Sequence, residues 1–329
     1  MRFLAVLCIG LSSLVLVGAS RSGEPVDLRS QFVDGQEHRF RVESESTVEQ
    51  SVSPMGERLS QTTLLTYYLT RTVSLRDSSA PVAHLRFERI TLSTQAPNLL
   101  GEMQDVDYDT GLWNPETQQA DGRTPPADGG FIAAKYATAL DPLIGQSIAL
   151  TLTPDGAIRD VTVPEAMGQS EVLSVEMIRD RFLSLVQICP EPDPVEIGAT
   201  WQQRSEQDSG LGFDVVSTTH WTLTSAEEDR ATIDVRNEFV TGEVREDTGI
   251  SLRDSSGSGT VIWNTDAGVL ERLESRQIVR MAGSPPGLRG GRAELVVRSR
   301  LKIERSADQW SIPELPKPPA DEESEPSGA

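Results

Sequence analysis

Cysteine and histidine are scarce in this sequence of 329 residues, which contains 2 cysteines and 3 histidines. Cys8 lies in an N-terminal apolar run, so Cys189 is the only thiol left if that run is removed, and no intramolecular disulfide can then form. His38, His84 and His220 lie far apart, and no pair has the spacing of metal ligands. His-Glu-x-x-His, Gly-x-Ser-x-Gly and phosphate-binding glycine loops are also absent. The sequence therefore predicts no catalytic residue and no cofactor, and we interpret the chain as a non-enzyme.

Basic residues are outnumbered, with 30 lysines and arginines against 50 aspartates and glutamates and a formal net charge of -20. A sequence-independent nucleic-acid binder needs excess positive charge to displace the counterions of phosphates, so the composition argues against a nucleic-acid partner. It also argues against docking on an anionic membrane surface.

Long apolar runs are limited to the N-terminus, where Phe3 to Val17 follows Arg2 and ends at Gly18 and Ala19. This pattern predicts a secretory signal peptide over residues 1–19 and an exported protein, periplasmic or extracellular. A retained membrane anchor is the alternative, but the run is short for crossing about 30 Å of hydrocarbon. No later segment is apolar enough to leave a stable membrane span after cleavage.

Most of the remaining chain has the alternation typical of β-strands. Thr62 to Leu75 and Val82 to Thr94 flank a short polar turn, which predicts a hairpin. Asp155-Gly156 between alternating apolar residues predicts another. Helical spacing predicts a helix from Phe131 to Leu143 and a second from Pro164 to Cys189. The predicted fold is mainly β, with one or two curved antiparallel sheets, half-barrel-like, and two packed helices.

The chain divides into four predicted parts. The signal peptide is followed by an N-terminal β-rich lobe with two helices (20–192), a C-terminal β-rich lobe (193–310) and a disordered, acidic, proline-rich tail (311–329). A shift of 148 residues places four apolar residues of the first lobe on four of the second. These pairs are Leu75 and Leu223, Ala83 and Ala231, Leu85 and Ile233, and Phe87 and Val235. The sequence leaves open whether this similarity is a true duplication.

Several short motifs carry a family resemblance. They are Leu99 to Trp113 with Asp107-Tyr108-Asp109-Thr110, Leu143-Ile144-Gly145-Gln146 leading into Leu152 to Gly156, and Val195 to Trp201. Together with the signal peptide they resemble an uncharacterised family of secreted bacterial proteins, of the type called domain of unknown function 6263. More distantly, the plan is similar to the half-barrels of lipoprotein carriers, which implies lipid held against a concave sheet.

Asp105, Asp107, Asp109 and Glu116 have the one-three-five-twelve spacing of carboxylates in a calcium-binding loop. The glycine stands one place late and no amphipathic helix flanks the loop. Alternate carboxylates on a strand would equally form a solvated acidic edge. The sequence leaves both interpretations open.

The predicted function is noncatalytic binding of a lipid or other apolar ligand on a concave sheet. Leu85, Phe87, Trp221 and Ile233 are the candidate ligand-binding residues, because strand residues of this kind can line an apolar cavity. An envelope protein-interaction module without a small ligand is the alternative, and an enzyme of unrecognised type is a third. The sequence does not identify a protein partner.

Overall fold

In the computed structural model, long antiparallel strands make up most of the described residues. The structure describes residues 25–53, 57–75, 80–97, 103–122, 130–153, 158–165, 182, 185, 188, 194–208, 213–244, 249–284 and 291–307. The predicted signal peptide, the predicted C-terminal tail and the Asp155-Gly156 turn lie outside these residues.

Fifteen strands are present in the described part of the chain. They are β1 (Glu37–Ser53), β2 (Glu57–Ser74), β3 (Val82–Pro97), β4 (Met103–Asp109), β5 (Leu112–Asn114), β6 (Gln119–Asp121), β7 (Ser147–Leu152), β8 (Ile158–Thr162), β9 (Thr200–Asp208), β10 (Phe213–Glu227), β11 (Arg230–Val244), β12 (Ile250–Leu252), β13 (Ser256–Asn264), β14 (Val269–Gly283) and β15 (Arg292–Ser306).

Thirteen of these strands form one antiparallel sheet, in the order β8-β7-β3-β2-β1-β15-β14-β13-β11-β10-β9. β4 pairs with β3 and β12 pairs with β14, while β5 and β6 form a separate two-stranded sheet. Among the described strands, β8 and β9 are the two ends of the large sheet and do not pair with each other. The predicted mainly β fold is confirmed, as one large antiparallel sheet that is not closed.

Alternation along each strand decides which face of the sheet is buried. On β11 the odd-numbered residues from Ala231 to Phe239 are buried, whereas Asp234, Arg236 and Glu238 between them are exposed. Residues directly opposite one another on paired strands share a face, so the register carries this pattern across the sheet. We call the buried side the core face.

The sheet consists of two blocks with the same strand order. β1-β2-β3-β7-β8 is followed in the chain by β9-β10-β11-β13-β14, and β15 joins β14 to β1. The β2–β3 and β10–β11 hairpins, whose sequences match at the shift of 148 residues, occupy the same places in their blocks. The division of the chain into two lobes at residue 192 stays a prediction.

One α-helix is present in the described residues, α1 (Gly130–Leu140), and a 3-10 turn follows it at Asp141–Leu143. These residues agree with the first predicted helix. The second predicted helix falls mainly on residues outside the described ranges. Three residues from that stretch, Phe182, Leu185 and Ile188, are described, and all three are buried.

Residues 25–36 cross one end of the core face before β1 begins. Val26 forms an antiparallel bridge with Val195, with N–O distances of 2.7 and 2.9 Å. The Leu28 side chain is buried, and the backbone N–H of Gln31 donates to the carbonyl of Gly268 at 3.3 Å. This segment therefore contacts both the residues that precede β9 and the turn between β13 and β14.

Candidate functional site

The four predicted ligand-binding residues lie on the core face, in one apolar cluster. Leu85 and Phe87 come from β3, Trp221 from β10 and Ile233 from β11. Leu85, Phe87 and Ile233 have no exposed surface, and Trp221 is 7% exposed. The structure therefore brings the four residues into the same interior. Their role in binding a ligand stays a prediction.

Three aromatic rings form the centre of this cluster. Tyr67 of β2, Phe87 of β3 and Phe182 pack edge to face, with ring centroids 5.6 to 5.9 Å apart. Edge-to-face contacts place the positive rim of one ring against the negative face of another. Phe182 thus occupies the interior beside a predicted ligand-binding residue.

Side chains of the sheet donate hydrogen bonds to the backbone carbonyls of Leu185 and Ile188. Nη1 of Arg71 donates to the carbonyl of Leu185 at 2.8 Å, and Nε1 of Trp201 donates to the carbonyl of Ile188 at 3.3 Å. Trp201 is itself stacked on Trp221, with ring planes 1° apart. We call Phe182, Leu185 and Ile188 the filling residues, because their side chains occupy the interior between β2 and β9.

Arg71 is a cation within the apolar interior and has no exposed surface. Its place follows from the alternation of β2, where Tyr67, Leu69 and Val73 face the core and Arg71 stands between them. The guanidinium carbon lies 5.9 Å from the centre of the Phe40 ring, a cation–π contact that offsets part of the cost of burial.

Two further basic side chains lie beside Arg71 on the core face. His38 of β1 is the direct cross-strand partner of Arg71, and Arg305 of β15 is the partner of Phe40, two residues from His38. We call His38, Arg71 and Arg305 the cationic cluster. It lies at the end of the core face that residues 25–36 cross.

Burial and nearby positive charge lower the pKa values of Arg71 and His38. Burial lowers the pKa of Arg71 to about 10, and the charge of Arg305 acts in the same direction. Burial, followed by the charges of Arg71 and Arg305, lowers the pKa of His38 to about 4. At neutral pH His38 is therefore neutral and Arg71 is charged.

The Arg71 guanidinium has one unused edge. Its Nε and Nη2 atoms are buried and find no hydrogen-bond partner among the described residues. Arg89 uses the same two atoms to hold both carboxylate oxygens of Asp109, and Arg29 does so with Asp27. The free edge of Arg71 therefore has the geometry that binds a carboxylate in two other places of this molecule.

A polar row crosses the core face beyond the apolar cluster. It contains one directly paired residue from each of nine strands and no large apolar side chain. The row runs Gln203, Thr219, Asn237, Gly257, Gln277, Ser299, Ser46, Thr63, Thr94. On its far side lies a second apolar cluster, formed by Phe213, Val215, Phe239, Val279 and Met281. The polar row therefore bounds the main apolar cluster at the end opposite Arg71.

The carboxylates of the predicted calcium loop lie on and after β4, which the sequence interpretation treated as either a loop or a strand edge. Asp105 accepts a hydrogen bond from Gln95 at 2.9 Å, and Asp109 is paired with Arg89. Asp107 is exposed, and Glu116 lies beyond β5. The described residues contain no group of three histidine, cysteine, aspartate or glutamate side chains placed to hold a metal ion. The calcium assignment stays a prediction.

Sequence reasoning missed the cationic cluster, although one signal for it was present. In the run from Tyr67 to Val73, an arginine occupies a position of the alternation that otherwise carries apolar residues.

Among the helices of the described residues, none is long and apolar enough to cross a membrane.

Comparison with protein families gives one match: the model of a family of unknown function, DUF6263, matches residues 165–269. This match confirms the resemblance predicted from the sequence, over less than half of the chain. Comparison with curated proteins gives no match.

Three solved structures are similar to the chain at low identity. A structure of lipid–protein interactions in lipovitellin is 14% identical, covers 85% of this chain and has a TM-score of 0.47; the match takes in 27% of the lipovitellin chain. OccK7 (OpdD) of Pseudomonas aeruginosa is 7% identical over 83% of this chain and 99% of its own, with a TM-score of 0.23. The COG4313 outer membrane channel of Pseudomonas putida F1 is 8% identical over 88% of this chain and 100% of its own, with a TM-score of 0.16. TM-scores below 0.5 do not establish a shared fold.

Proposed function

We propose that this chain is an exported, noncatalytic protein that binds a hydrophobic or amphipathic ligand on the core face of a curved sheet. The apolar run over residues 1–19 supports export, to the periplasm or the exterior. The ligand would take the place of the filling residues between β2 and β9.

The observation that carries the proposal is the attachment of the filling residues to two strands that are far apart in the sheet order. Leu185 is hydrogen-bonded to Arg71 of β2, and Ile188, three residues later, to Trp201 of β9. β2 and β9 are seven pairings apart in the order β2-β1-β15-β14-β13-β11-β10-β9. At about 4.8 Å per pairing, a flat sheet would separate them by about 34 Å.

Three residues of chain span at most about 10 Å. The two carbonyls are therefore much closer together than β2 and β9 would be in a flat sheet, and the side chains of Arg71 and Trp201 with their hydrogen bonds cover only part of the remaining distance. This difference supports a half-barrel that curves around the core face, as the sequence predicts. In such a half-barrel the filling residues occupy an elongated apolar interior whose walls come from strands.

An elongated apolar interior suits a chain-like ligand. The filling residues place an apolar side chain against the strands at every third residue. An acyl chain would place a continuous series of CH2 groups against the same strands. Leu85, Phe87, Trp221 and Ile233 lie in the walls, so that they would contact the ligand. Binding then requires that the ligand compensate for the lost contacts of Phe182, Leu185 and Ile188.

A dye-binding experiment tests this function. We expect the neutral dye Nile red to bind the folded protein saturably and to be displaced by hexadecanoic acid. Phe182→Ala should raise the affinity for the dye by about tenfold or more, because a smaller side chain leaves the interior at a lower cost.

Phe213→Ala is the matched control. Phe213 is buried to the same degree as Phe182 but belongs to the second apolar cluster. This variant should lose stability while its affinity for the dye stays unchanged. If neither the wild-type protein nor Phe182→Ala binds the dye, the binding function is wrong, and an envelope protein-interaction module becomes the better account.

A further inference from the structure

We infer that the cationic cluster binds an anionic head group, so that the ligand of this protein is an acyl chain carrying a carboxylate or a phosphate. The inference rests on the proposed function, which it narrows from apolar ligands in general to acidic amphipaths. Arg71 is the residue that would contact the head group directly.

The first support is the burial of a charge without a counter-charge. Arg71 has no exposed surface, and among the described residues no carboxylate forms an ion pair with it. A buried charge is retained in proteins when a partner compensates for its lost hydration. The carbonyl of Leu185 and the ring of Phe40 compensate in part, but neither carries a negative charge.

The second support is the free edge of the guanidinium. A carboxylate or phosphate accepts two parallel N–H bonds from Nε and Nη2 of an arginine. Arg89 and Arg29 already bind carboxylates in this way. Because these two donors of Arg71 are buried and have no partner among the described residues, an anion would satisfy both at once.

The third support is the concentration of positive charge in the cationic cluster. Arg305 adds a second cation, and its carboxylate partner, Glu271, is shared with Arg230 and Asn264. His38 has a buried Nε2 that also lacks a partner among the described residues. A single anion would therefore reduce the repulsion between Arg71 and Arg305 as well as occupy the free edge.

The position of the cluster fits an amphipath of acyl length. On β2, Arg71 is eight residues from Thr63 of the polar row, which corresponds to about 27 Å along the strand. Leu69, Tyr67 and Leu65 fill the core face between them. An acidic head at Arg71 would therefore leave an apolar surface for the acyl chain that ends at the polar row.

The cluster also reaches solvent. The side chain of Arg305 is 27% exposed, and His38 is only partly buried. A head group could therefore arrive at this end of the core face without passing through the apolar interior.

The experiment compares three ligands with the same alkyl length: hexadecanoic acid, its methyl ester and hexadecyl phosphate. Affinities are measured by displacement of Nile red from the full mature chain. We expect the wild-type protein to bind the acid and the phosphate at least tenfold more tightly than the ester. Whichever anion binds more tightly identifies the head group.

Two variants test whether Arg71 causes the preference for the anionic ligands. Arg71→Met should lose the preference and bind the acid and the ester with equal affinity. The ratio of the two affinities is the readout, because loss of the hydrogen bond from Arg71 to Leu185 also changes how readily the filling residues leave the interior. Arg71→Lys keeps the charge but not the free edge, and should keep only part of the preference. Arg298→Met, which removes an exposed partner of Glu49, is the matched control and should behave as wild type.

The outcomes separate this inference from the proposed function. Equal affinity of the wild-type protein for acid and ester, or a full preference in Arg71→Met, would overturn the inference while leaving the apolar-ligand function intact. Failure of all three ligands and of the dye would overturn both. If Arg71→Met does not fold, equal affinity of the wild-type protein for the acid and the ester still overturns the inference. Arg71→Lys then tests whether the preference depends on Arg71.

Discussion

The ring of Phe182 stands at 89° to the ring of Tyr67, with 5.6 Å between their centres. The contact joins β2 to a segment more than a hundred residues later in the chain, and both side chains are buried. The free energy of this contact therefore reports how strongly Phe182, one of the filling residues, is bound to the sheet.

A double-mutant cycle quantifies this contact. Phe182→Leu and Tyr67→Leu should each destabilise the protein, and the double variant should lose less than the sum. We expect a coupling of about 0.5 to 1.5 kcal/mol, the range of aromatic pairs. Urea unfolding of the four proteins supplies the values. Full additivity would mean that the filling residues contribute independently of the sheet.

The partly buried imidazole of His38 predicts an acid-sensitive stability. Its pKa is lowered from 6.5 to about 4 in the folded protein, so between these values the unfolded chain binds a proton that the folded chain does not. Stability should therefore fall as the pH drops from 6.5 to 4, by roughly 2 to 3 kcal/mol from this group.

Replacement of the imidazole isolates this contribution from that of the carboxylates. His38→Gln should lose less stability than wild type between pH 7 and 4 in urea unfolding, because glutamine binds no proton. Parallel pH profiles for the two proteins would show that His38 keeps its ordinary pKa. The variant is read only as a difference from wild type, since carboxylates titrate in both.

Gly268 predicts a strong effect of a single methyl group. Its φ is +53°, and a Cβ at this position would overlap the backbone nitrogen of Gln31, in the segment that crosses the core face. Gly268→Ala should destabilise the protein by about 2 kcal/mol or more and raise proteolysis at residues 25–36.

Gly35 provides the matched control for Gly268. Its φ is +72°, but an added Cβ would meet no atom within 4 Å. Gly35→Ala should therefore cost only about 1 kcal/mol, from backbone strain alone. Equal losses in the two variants, measured by urea unfolding, would show that the contact with Gln31 has no effect.

The pairing of Asp109 with Arg89 predicts unequal roles for the acidic residues of β4. Asp109→Asn would leave the largely buried guanidinium of Arg89 without its carboxylate, and should cost about 2 kcal/mol. Asp107→Asn alters an exposed side chain and should change stability by less than about 0.5 kcal/mol.

Thermal unfolding of the wild-type protein and the same two variants, with and without calcium, also tests the calcium assignment. A rise in Tm with calcium that Asp107→Asn abolishes would support it.

The strands were the most predictable part of this fold. In the β2–β3 hairpin, apolar and polar residues alternate on either side of a short polar turn, which specifies both strands and the face that each buries. The alternation does not specify which strands become neighbours. The pairing of β1 with β15 depends on contacts between the two ends of the chain, and no local pattern encodes it.

The candidate site was predictable only in its apolar part. Leu85, Phe87, Trp221 and Ile233 are apolar at alternating positions, so their shared location in the core follows from the pattern. Arg71 was missed because an arginine is expected at the surface. Its burial depends on Leu185 and Phe40, which are remote in sequence and become its neighbours only in the folded chain.

The pairing of β1 with β15 also has a consequence for the order in which the protein can fold. Arg298 contacts Glu49 across 249 residues, and the two strands are paired at fifteen positions. During synthesis β1 can pair with β2 early, but its other edge has no partner until residues 292–306 emerge. Such an unpaired edge promotes aggregation, and long-range pairing is slow. We therefore expect chains that end before residue 292 to associate with one another through β1 rather than persist as shorter monomers.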